Sequence, residues 1–320
     1  MSNEVAHIEN VYASAEQKSA AANSPIVASW RRCITMHHLA PEEARQPERL
    51  SESEFLQARE RASSLIAEAA EEMDRLFSTV GRAGCCLVLT DRDGVALERR
   101  GISSEDKDFY RLGLWTGALW SEASVGTNGI GTAIAEDRPV AVFRDQHFLS
   151  ANINLSCTTA PIRDHRGRLT AALDISTCRE DVNEVALSIL SQAVRDSALR
   201  IETNLFRSAF SGARFVMVPF ANNPAAALIA VDKDDLILGA TRAARIALKL
   251  DDRTLEAGVA AADALHEQPR EASHDDLAEA ERAALRRVLT RTGGNVSQAA
   301  LLLGISRATM HRKMKKLDLH

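Results

Sequence analysis

Apolar positions follow a helical period through the first 80 residues. Ser24 and Pro25 form a typical N-cap and first helical position, and the segment from Phe55 to Phe77 places apolar residues three or four positions apart. The pattern predicts an N-terminal helical region over residues 1–80.

The period changes to that of β-strands after residue 84. The run CCLVLTDRDGVALERRG predicts a hairpin that turns at Asp93 and Gly94, and TTAPIRDHRGRLTAALDIS predicts a second one that turns from His165 to Gly167. A long helix is expected from about Val182 to Phe210. The sequence therefore predicts an α+β fold, an antiparallel sheet with helices, over residues 81–210.

A smaller unit is expected next, over residues 211–262. Its sequence reads as strand, acidic turn, strand and helix from Ala225 to Leu250, and a further strand at Phe215–Phe220 is needed to complete it. The polar, proline-containing stretch that follows predicts a linker over residues 263–275.

The last segment, residues 276–320, is predicted to be all helical. An apolar stripe favours a helix over Ala278–Arg291, ended by two glycines. Asn295 is placed to cap a second helix, 296–303, and after Gly304 the hydroxyl of Ser306 is placed to cap a third, which extends through residue 317. Two short helices joined by a glycine turn predict a helix-turn-helix.

The distribution of charge along the sequence supports the prediction of a helix-turn-helix. From Leu285 onward there are eight Lys or Arg and one acid, a net charge of +7, whereas the whole chain carries −5 and residues 1–284 therefore carry −12. Positive charge concentrated in one helical segment is typical of a nucleic-acid-binding module attached to another domain. A plain helical hairpin with a solvated basic face is the alternative.

The tail GNVSQAALLLGISRATMHRKMKKL resembles the DNA-binding domain of the Fis family, which bacterial enhancer-binding activators share. The resemblance implies binding to double-stranded DNA as a homodimer that pairs through the helix 278–291. It implies that Ser306 and Arg307 face base edges. The remaining residues assigned to DNA binding, chiefly as phosphate contacts, are Asn295, Ser297, Thr309, Arg312, Lys313 and Lys315. Gln298 and His311 stand where Fis has basic residues.

The middle of the chain is similar to the amino-terminal sensor half of acetoin-catabolism-type activators. The similarity lies in SPIVASWRRC, LTDRDGVAL, GLWTGALWSEASVGTNGIGTAI and CTTAPIRDHRGRLTAALDIS. It implies a GAF domain over residues 81–210, a PAS-like segment over 211–262 and a small-molecule effector. The residues expected to line the effector pocket are Trp115, Trp120, Asn128, Phe143, His147, Phe148, Cys157 and Thr159.

Each of these residues also has a purely structural interpretation. Trp120 and Phe148 could belong to the core, His147 could be a satisfied structural histidine, and Cys157 could serve packing alone. The five cysteines are scattered and never spaced as CxxC, so neither a disulfide framework nor a zinc site is predicted, and no metal or cofactor is expected.

Full-length relatives of this kind carry an ATPase domain before the DNA-binding tail. This sequence contains no GxxxxGK[ST] phosphate-binding loop and no GAFTGA loop, and about 25 residues separate the PAS-like segment from the tail. We therefore expect a transcription regulator that is not driven by ATP and is not an enzyme. It would act by itself on DNA, through RNA polymerase or through a full-length relative. The polar amino terminus predicts a cytoplasmic protein without membrane attachment.

Two other classes of function remain open at the level of sequence. A GAF-type thiol enzyme similar to methionine-sulfoxide reductase would use Cys85, Cys86 or Cys157 as a nucleophile of low pKa. An architectural protein similar to Fis would bend DNA without sensing a ligand. The basic tail argues against the first, and the long sensor-like segment argues against the second.

Overall fold

Helices form the amino-terminal part of the chain, as predicted. The computed structural model describes residues 2–17, 24–102, 106–219, 221, 226–233, 235–266, 281–282, 284–285, 288–289, 292–317 and 319. The described α-helices that precede the first strand are α1 (Ser2–Glu16), α2 (Pro25–Thr35), α3 (Glu52–Arg61) and α4 (Ser63–Val80). Ser24 caps α2, its Oγ accepting a hydrogen bond from the Val27 amide at 3.4 Å.

One expected helix is in fact two. The backbone leaves the helical conformation at Ala62, with φ −97° and ψ 11°, between α3 and α4. Neither glycine nor proline lies there, and no side chain caps the start of α4. Packing decides the break, because α4 lies against the sheet while most of α3 remains exposed.

An antiparallel sheet of five strands forms the centre of this part of the chain. Its spatial order is β2-β1-β5-β4-β3. The strands are β1 (Cys85–Asp91), β2 (Ala96–Arg100), β3 (Val140–Phe143), β4 (Ser156–Arg163) and β5 (Leu169–Thr177). The two predicted hairpins are β1–β2 and β4–β5. Three short helices lie between β2 and β3, namely α5 (Asp106–Arg111), α6 (Glu122–Val125) and α7 (Gly129–Glu136).

Different helices pack on the two faces of the sheet. Alternate strand residues such as Leu87 and Leu173 pack with α4 and with α8 (Glu184–Ala209), the predicted long helix. The residues between them, such as Cys86 and Cys157, face a second cluster that contains Trp120 and side chains of α1, α2 and α7. Because successive side chains of a strand point to opposite faces of the sheet, they contribute alternately to two hydrophobic cores.

The PAS-like segment is a small antiparallel sheet with short helices. Its strands are β6 (Arg214–Met217), β7 (Leu228–Val231) and β8 (Ile237–Ala240), so the further strand expected at Phe215–Phe220 lies at 214–217. Its helices are α9 (Arg242–Leu248), α10 (Asp252–Ala257) and α11 (Ala261–His266). An ion pair joins Arg242 to Asp137 at 3.2 Å, and the rings of His165 and Phe210 meet at 5.8 Å. Residues Met1–Ala262 form one compact unit.

The second unit, Asp263–His320, contains the predicted helix-turn-helix. Its described helices are α12 (Val296–Leu302) and α13 (Arg307–Lys316), and residues 281–282, 284–285 and 288–289 are also helical. The linker expected at 263–275 and the helix expected at 278–291 lie partly outside the described residues. In the part of the chain that the structure describes, no helix is long and apolar enough to cross a bilayer.

Candidate functional site

A polar cluster lies on the face of the five-stranded sheet that α7 covers. Strand register places Cys86, Ser176 and Cys157 in one row across β1, β5 and β4, and Asp174 opposite Thr159 in the next row. All five residues are at most 3% exposed. The face therefore carries a carboxyl group, two hydroxyls and two thiols inside a hydrophobic core.

Asp174 is the centre of the hydrogen bonding in this cluster. Its two carboxylate oxygens accept hydrogen bonds from the hydroxyls of Thr159 and Ser176, each at 2.5 Å. The Ser176 oxygen also lies 3.1 Å from Cys157 Sγ, which lies 3.5 Å from His147 Nε2. The other ring nitrogen of His147 is 2.9 Å from the Arg144 carbonyl. The buried polar groups thus form a continuous chain from Thr159 to Arg144.

Burial sets the protonation of these hydrogen-bonded polar groups. It raises the pKa of Asp174 to about 6 and lowers the pKa of His147 to about 4. Burial, with the nearby Asp174 charge as the next cause, raises the pKa of the Cys157 and Cys86 thiols. A reactive cysteine needs a lowered pKa and partial exposure. The surroundings of both thiols therefore disfavour the nucleophile that a thiol enzyme requires.

The amino-terminal end of α7 covers the polar cluster. Asn128 caps this helix, because its Oδ1 accepts from the Gly131 amide and its Nδ2 donates to the Gly126 carbonyl, both at 2.8 Å. A Cβ added to Gly129 would lie 2.5 Å from Thr159 Oγ1 and 2.7 Å from Cys157 Cβ. Glycine at this position lets the helix approach the sheet closely.

We expect Gly129→Ala to destabilise the protein by about 1–3 kcal/mol. Alanine is the better helix former, but its methyl group would overlap the Thr159 and Cys157 side chains. Gly212→Ala is the matched control, since a Cβ there meets nothing within 4 Å. Urea denaturation followed by circular dichroism measures both. Equal stability of the two variants would contradict the close packing inferred here.

The predicted pocket residues fall into three groups. Asn128, His147, Cys157 and Thr159 belong to the buried polar cluster or its helix cap. Trp120 and Phe148 are 1% and 0% exposed and belong to the surrounding apolar core, and Trp120 Nε1 donates to the Gly113 carbonyl at 2.9 Å.

Trp115 and Phe143 are half-buried, and the ring of each lies against an arginine side chain. The Arg99 guanidinium lies 4.4 Å from the Trp115 ring and 5.6 Å from the Phe109 ring, while Arg144 lies 5.3 Å from the Phe143 ring. Val88 pairs with Arg99 on one side and with Asp174 on the other, so Arg99 and Asp174 belong to the same row across the sheet.

Asp174, Ser176 and Arg99 are not among the pocket residues predicted from the sequence. The available signal was the stretch TAALDIS, in which two polar residues interrupt an apolar strand at positions i and i+2. Such spacing places both side chains on one face of the strand.

The amino-terminal helices α1 and α2 pack on the same face as the cluster. Arg32 of α2 binds the Glu122 carboxylate at 2.8 and 2.9 Å and Glu136 at 2.7 Å. Ser29 donates to Glu122 at 2.5 Å, and His7 of α1 lies 3.2 Å from the Phe148 carbonyl. These helices are therefore part of the cover of the sheet.

The helix-turn-helix is held by local caps and a small core. Asn295 Oδ1 accepts from the amides of Ser297 and Gln298, and Ser306 Oγ accepts from the Thr309 amide at 3.1 Å. Gly304 has φ +65°, a conformation that glycine adopts without strain. One hydrophobic cluster of this region contains the buried residues Leu285, Ala299, Ala300, Met310, Leu317 and Leu319.

The outer face of α13 is basic. Arg307, Arg312 and Lys315 are exposed, and the helix contains no acid. Lys313 differs from them, because it is half-buried and forms an ion pair with Glu281 whose hydrogen bond lowers the pKa of that carboxylate. Thr309 is half-buried, its hydroxyl 2.8 Å from that of Ser306. Three of the four predicted cations are thus exposed to solvent, whereas the fourth, Lys313, is paired with Glu281.

Two family models match the chain. Residues 276–317 match the bacterial regulatory protein, Fis family, and residues 64–201 match the GAF domain. A GAF domain and a Fis-family helix-turn-helix in one chain define a transcriptional regulator.

The chain is homologous to named regulators of acetoin catabolism. It is 31% identical over 226 residues to the acetoin catabolism regulatory protein of Cupriavidus necator, a match that covers 69% of this chain and 34% of that protein. It is 31% identical over 151 residues to the acetoin dehydrogenase operon transcriptional activator of Bacillus subtilis, covering 47% and 25%. The chain thus spans about a third or less of the length of these relatives.

A solved structure shares the fold. The crystal structure of the Escherichia coli DhaR(N)–DhaL complex matches with a TM-score of 0.52 at 18% identity, covering 71% of this chain and 77% of that one. At this identity the match supports the fold alone.

Proposed function

We propose that this protein is a ligand-responsive regulator that binds a two-fold-symmetric DNA site as a homodimer and senses a small molecule in its GAF domain. The observation that carries the proposal is the exposed basic face of α13, preceded by a capped glycine turn. In a helix-turn-helix the second helix enters the major groove, and two copies read half-sites about one helical turn apart.

Arg307 is the residue that we assign to base recognition. It is the first residue of α13, it is exposed, and its guanidinium can bind guanine through two hydrogen bonds. Asn295, Ser297, Arg312 and Lys315 are assigned to phosphate contacts, which fix position without reading sequence. Lys313 is the weakest of the proposed contacts, since its ion pair with Glu281 would have to open.

We assign the effector to the sheet face that α7 covers. The buried Asp174 carboxylate, with Thr159 and Ser176 bonded to it, supports this placement because small-ligand sites combine an apolar wall with a few polar groups. Because the sequence contains no phosphate-binding loop, regulation in this proposal comes from occupying DNA or from assisting a full-length relative.

We expect Arg307→Ala to weaken specific DNA binding by about 1–3 kcal/mol and to relax sequence preference. Lys315→Ala should weaken binding to all sequences alike and reduce the salt dependence by about one unit. Fluorescence anisotropy with selected and scrambled duplexes over a range of salt concentrations measures both effects. Arg253→Ala, which removes an exposed arginine from α10, serves as the control.

The outcomes separate the parts of the proposal. Unchanged specific binding in Arg307→Ala would show that α13 is not the recognition helix. Loss of binding to specific and scrambled duplexes alike would make Arg307 a phosphate contact.

A further inference from the structure

Helix α7 connects the buried polar cluster to the PAS-like segment. A Cβ added to Gly129, at the amino-terminal end of this helix, would lie 2.5 Å from Thr159 Oγ1 and 2.9 Å from Asp174 Oδ1. The helix contains eight residues and is followed by Asp137, whose backbone adopts the left-handed conformation with φ +47°. An α-helix of this length is about 12 Å long and moves as one body. A displacement at the cluster is therefore transmitted to Asp137.

Asp137 binds two arginine side chains from different parts of the fold. Arg163 of β4 donates to the Asp137 carboxylate at 2.7 Å and to the Asp137 carbonyl at 2.9 Å. Arg242, the first residue of α9 in the PAS-like segment, donates to the other carboxylate oxygen at 3.2 Å. The Asp137 side chain therefore joins α7 both to the central sheet and to the PAS-like segment.

The two arginines are held to different degrees. The Arg163 side chain is 14% exposed, its backbone amide donates to the Glu202 carboxylate at 2.8 Å, and its guanidinium lies 3.5 Å from the same carboxylate. The Arg242 side chain is 48% exposed. Because exposed ion pairs contribute little and buried ones resist opening, a shift of α7 changes the Arg242 contact more readily than the Arg163 contact.

The PAS-like segment is also held by the turn between β4 and β5. The Arg168 guanidinium lies 3.1 Å from Asp252 of α10, and a Cβ added to Gly167 would lie 3.5 Å from Arg242 Cβ. These contacts do not involve α7, so they keep the segment attached while the Asp137–Arg242 contact changes. The contact of Asp137 differs from them because it is made by the helix that covers the polar cluster.

We propose that Asp137 couples the polar cluster to the PAS-like segment. A molecule that binds at the cluster and displaces the amino-terminal end of α7 weakens the Asp137–Arg242 contact, and β7, β8 and α9 then open locally more often. Coupling between distant sites is carried by such chains of packed elements and ion pairs. The natural trigger rests on the proposed placement of the effector. The coupling itself can be tested without an effector, because Gly129→Ala places a methyl group between α7 and the sheet.

Hydrogen exchange of the full chain, followed by mass spectrometry, measures local opening of β7, β8 and α9. Gly129→Ala should raise the exchange rates of these amides. Arg242→Met, which removes the contact, should raise them about twofold to fivefold. In the Arg242→Met background the factor produced by Gly129→Ala should be at least about twofold smaller than in the wild type, since the contact is already absent.

Arg214→Met is the matched control. It removes another exposed ion pair of the PAS-like segment, 2.7 Å from Asp235, that does not involve α7. In this background Gly129→Ala should raise exchange by the same factor as in the wild type. A general loss of stability would act alike in both backgrounds, so equal factors in Arg242→Met and Arg214→Met would overturn the proposal.

Alkylation of Cys157, which is 3% exposed, provides a second measurement that does not require Gly129→Ala to fold. Coupling is reciprocal, so loss of the Arg242 contact should loosen α7 and open the cluster that it covers. Arg242→Met should raise the rate at which iodoacetamide modifies Cys157 about twofold to fivefold, whereas Arg214→Met should leave this rate within about 1.5-fold. Equal rates in the two variants would show that the ends of α7 are not coupled. Since neither measurement involves DNA or an effector, the coupling and the proposed function can fail independently.

Discussion

Arg32→Met is expected to lower the free energy of unfolding by about 3 kcal/mol. The Arg32 guanidinium binds Glu122 through two hydrogen bonds and also binds Glu136. The Glu122 side chain is only 4% exposed. Removing the arginine leaves a buried carboxylate paired with the Ser29 hydroxyl alone, and an uncompensated buried charge costs more than the pair contributes.

A surface ion pair provides the control for this variant. Arg111 lies 2.8 Å from Asp108, and both side chains are more than half exposed. Arg111→Met should therefore change stability by less than about 0.5 kcal/mol. Urea denaturation of the full chain, followed by tryptophan fluorescence, compares the two variants. If Arg32→Met is no less stable than Arg111→Met, α2 does not anchor the cover of the sheet as described.

Trp120→Ala is expected to cost about 3–5 kcal/mol of stability, the largest effect predicted for a single side chain here. Trp120 is 1% exposed within the apolar cluster on the α7 side of the sheet, and its indole nitrogen donates to the Gly113 carbonyl. Truncation leaves a cavity and an unpaired carbonyl. A lost ligand response in this variant would therefore follow from unfolding as readily as from a changed pocket.

Trp115→Ala is the matched comparison, because Trp115 is half-buried and its ring faces the Arg99 guanidinium. The loss of stability in Trp115→Ala should be less than half of that in Trp120→Ala, since part of the Trp115 surface is already in water. Thermal unfolding of both variants gives the ranking. A smaller loss for Trp120→Ala than for Trp115→Ala would place Trp120 at the pocket surface, as the sequence alone allowed.

The sequence by itself determined the elements whose signals are local. The hairpin at Asp93 and Gly94, the caps at Asn295 and Ser306, and the glycine turn at Gly304 each depend on a few adjacent residues, and the structure contains all of them. A cap or turn is a hydrogen bond or a backbone conformation between near neighbours, so sequence spacing encodes it directly. The basic character of α13 was likewise visible as charge alone.

Only the tertiary structure decided what the residues of the predicted pocket and DNA-binding site do. Asn128 caps α7, Trp120 fills the core, and Lys313 pairs with Glu281, while Asp174, which sequence analysis did not select, bonds Thr159 and Ser176. Arg32 reaches Glu122 across ninety positions of the chain. Burial and pKa depend on which distant residues surround a group, because desolvation and charge act through space. Local periodicity carries no information about those neighbours.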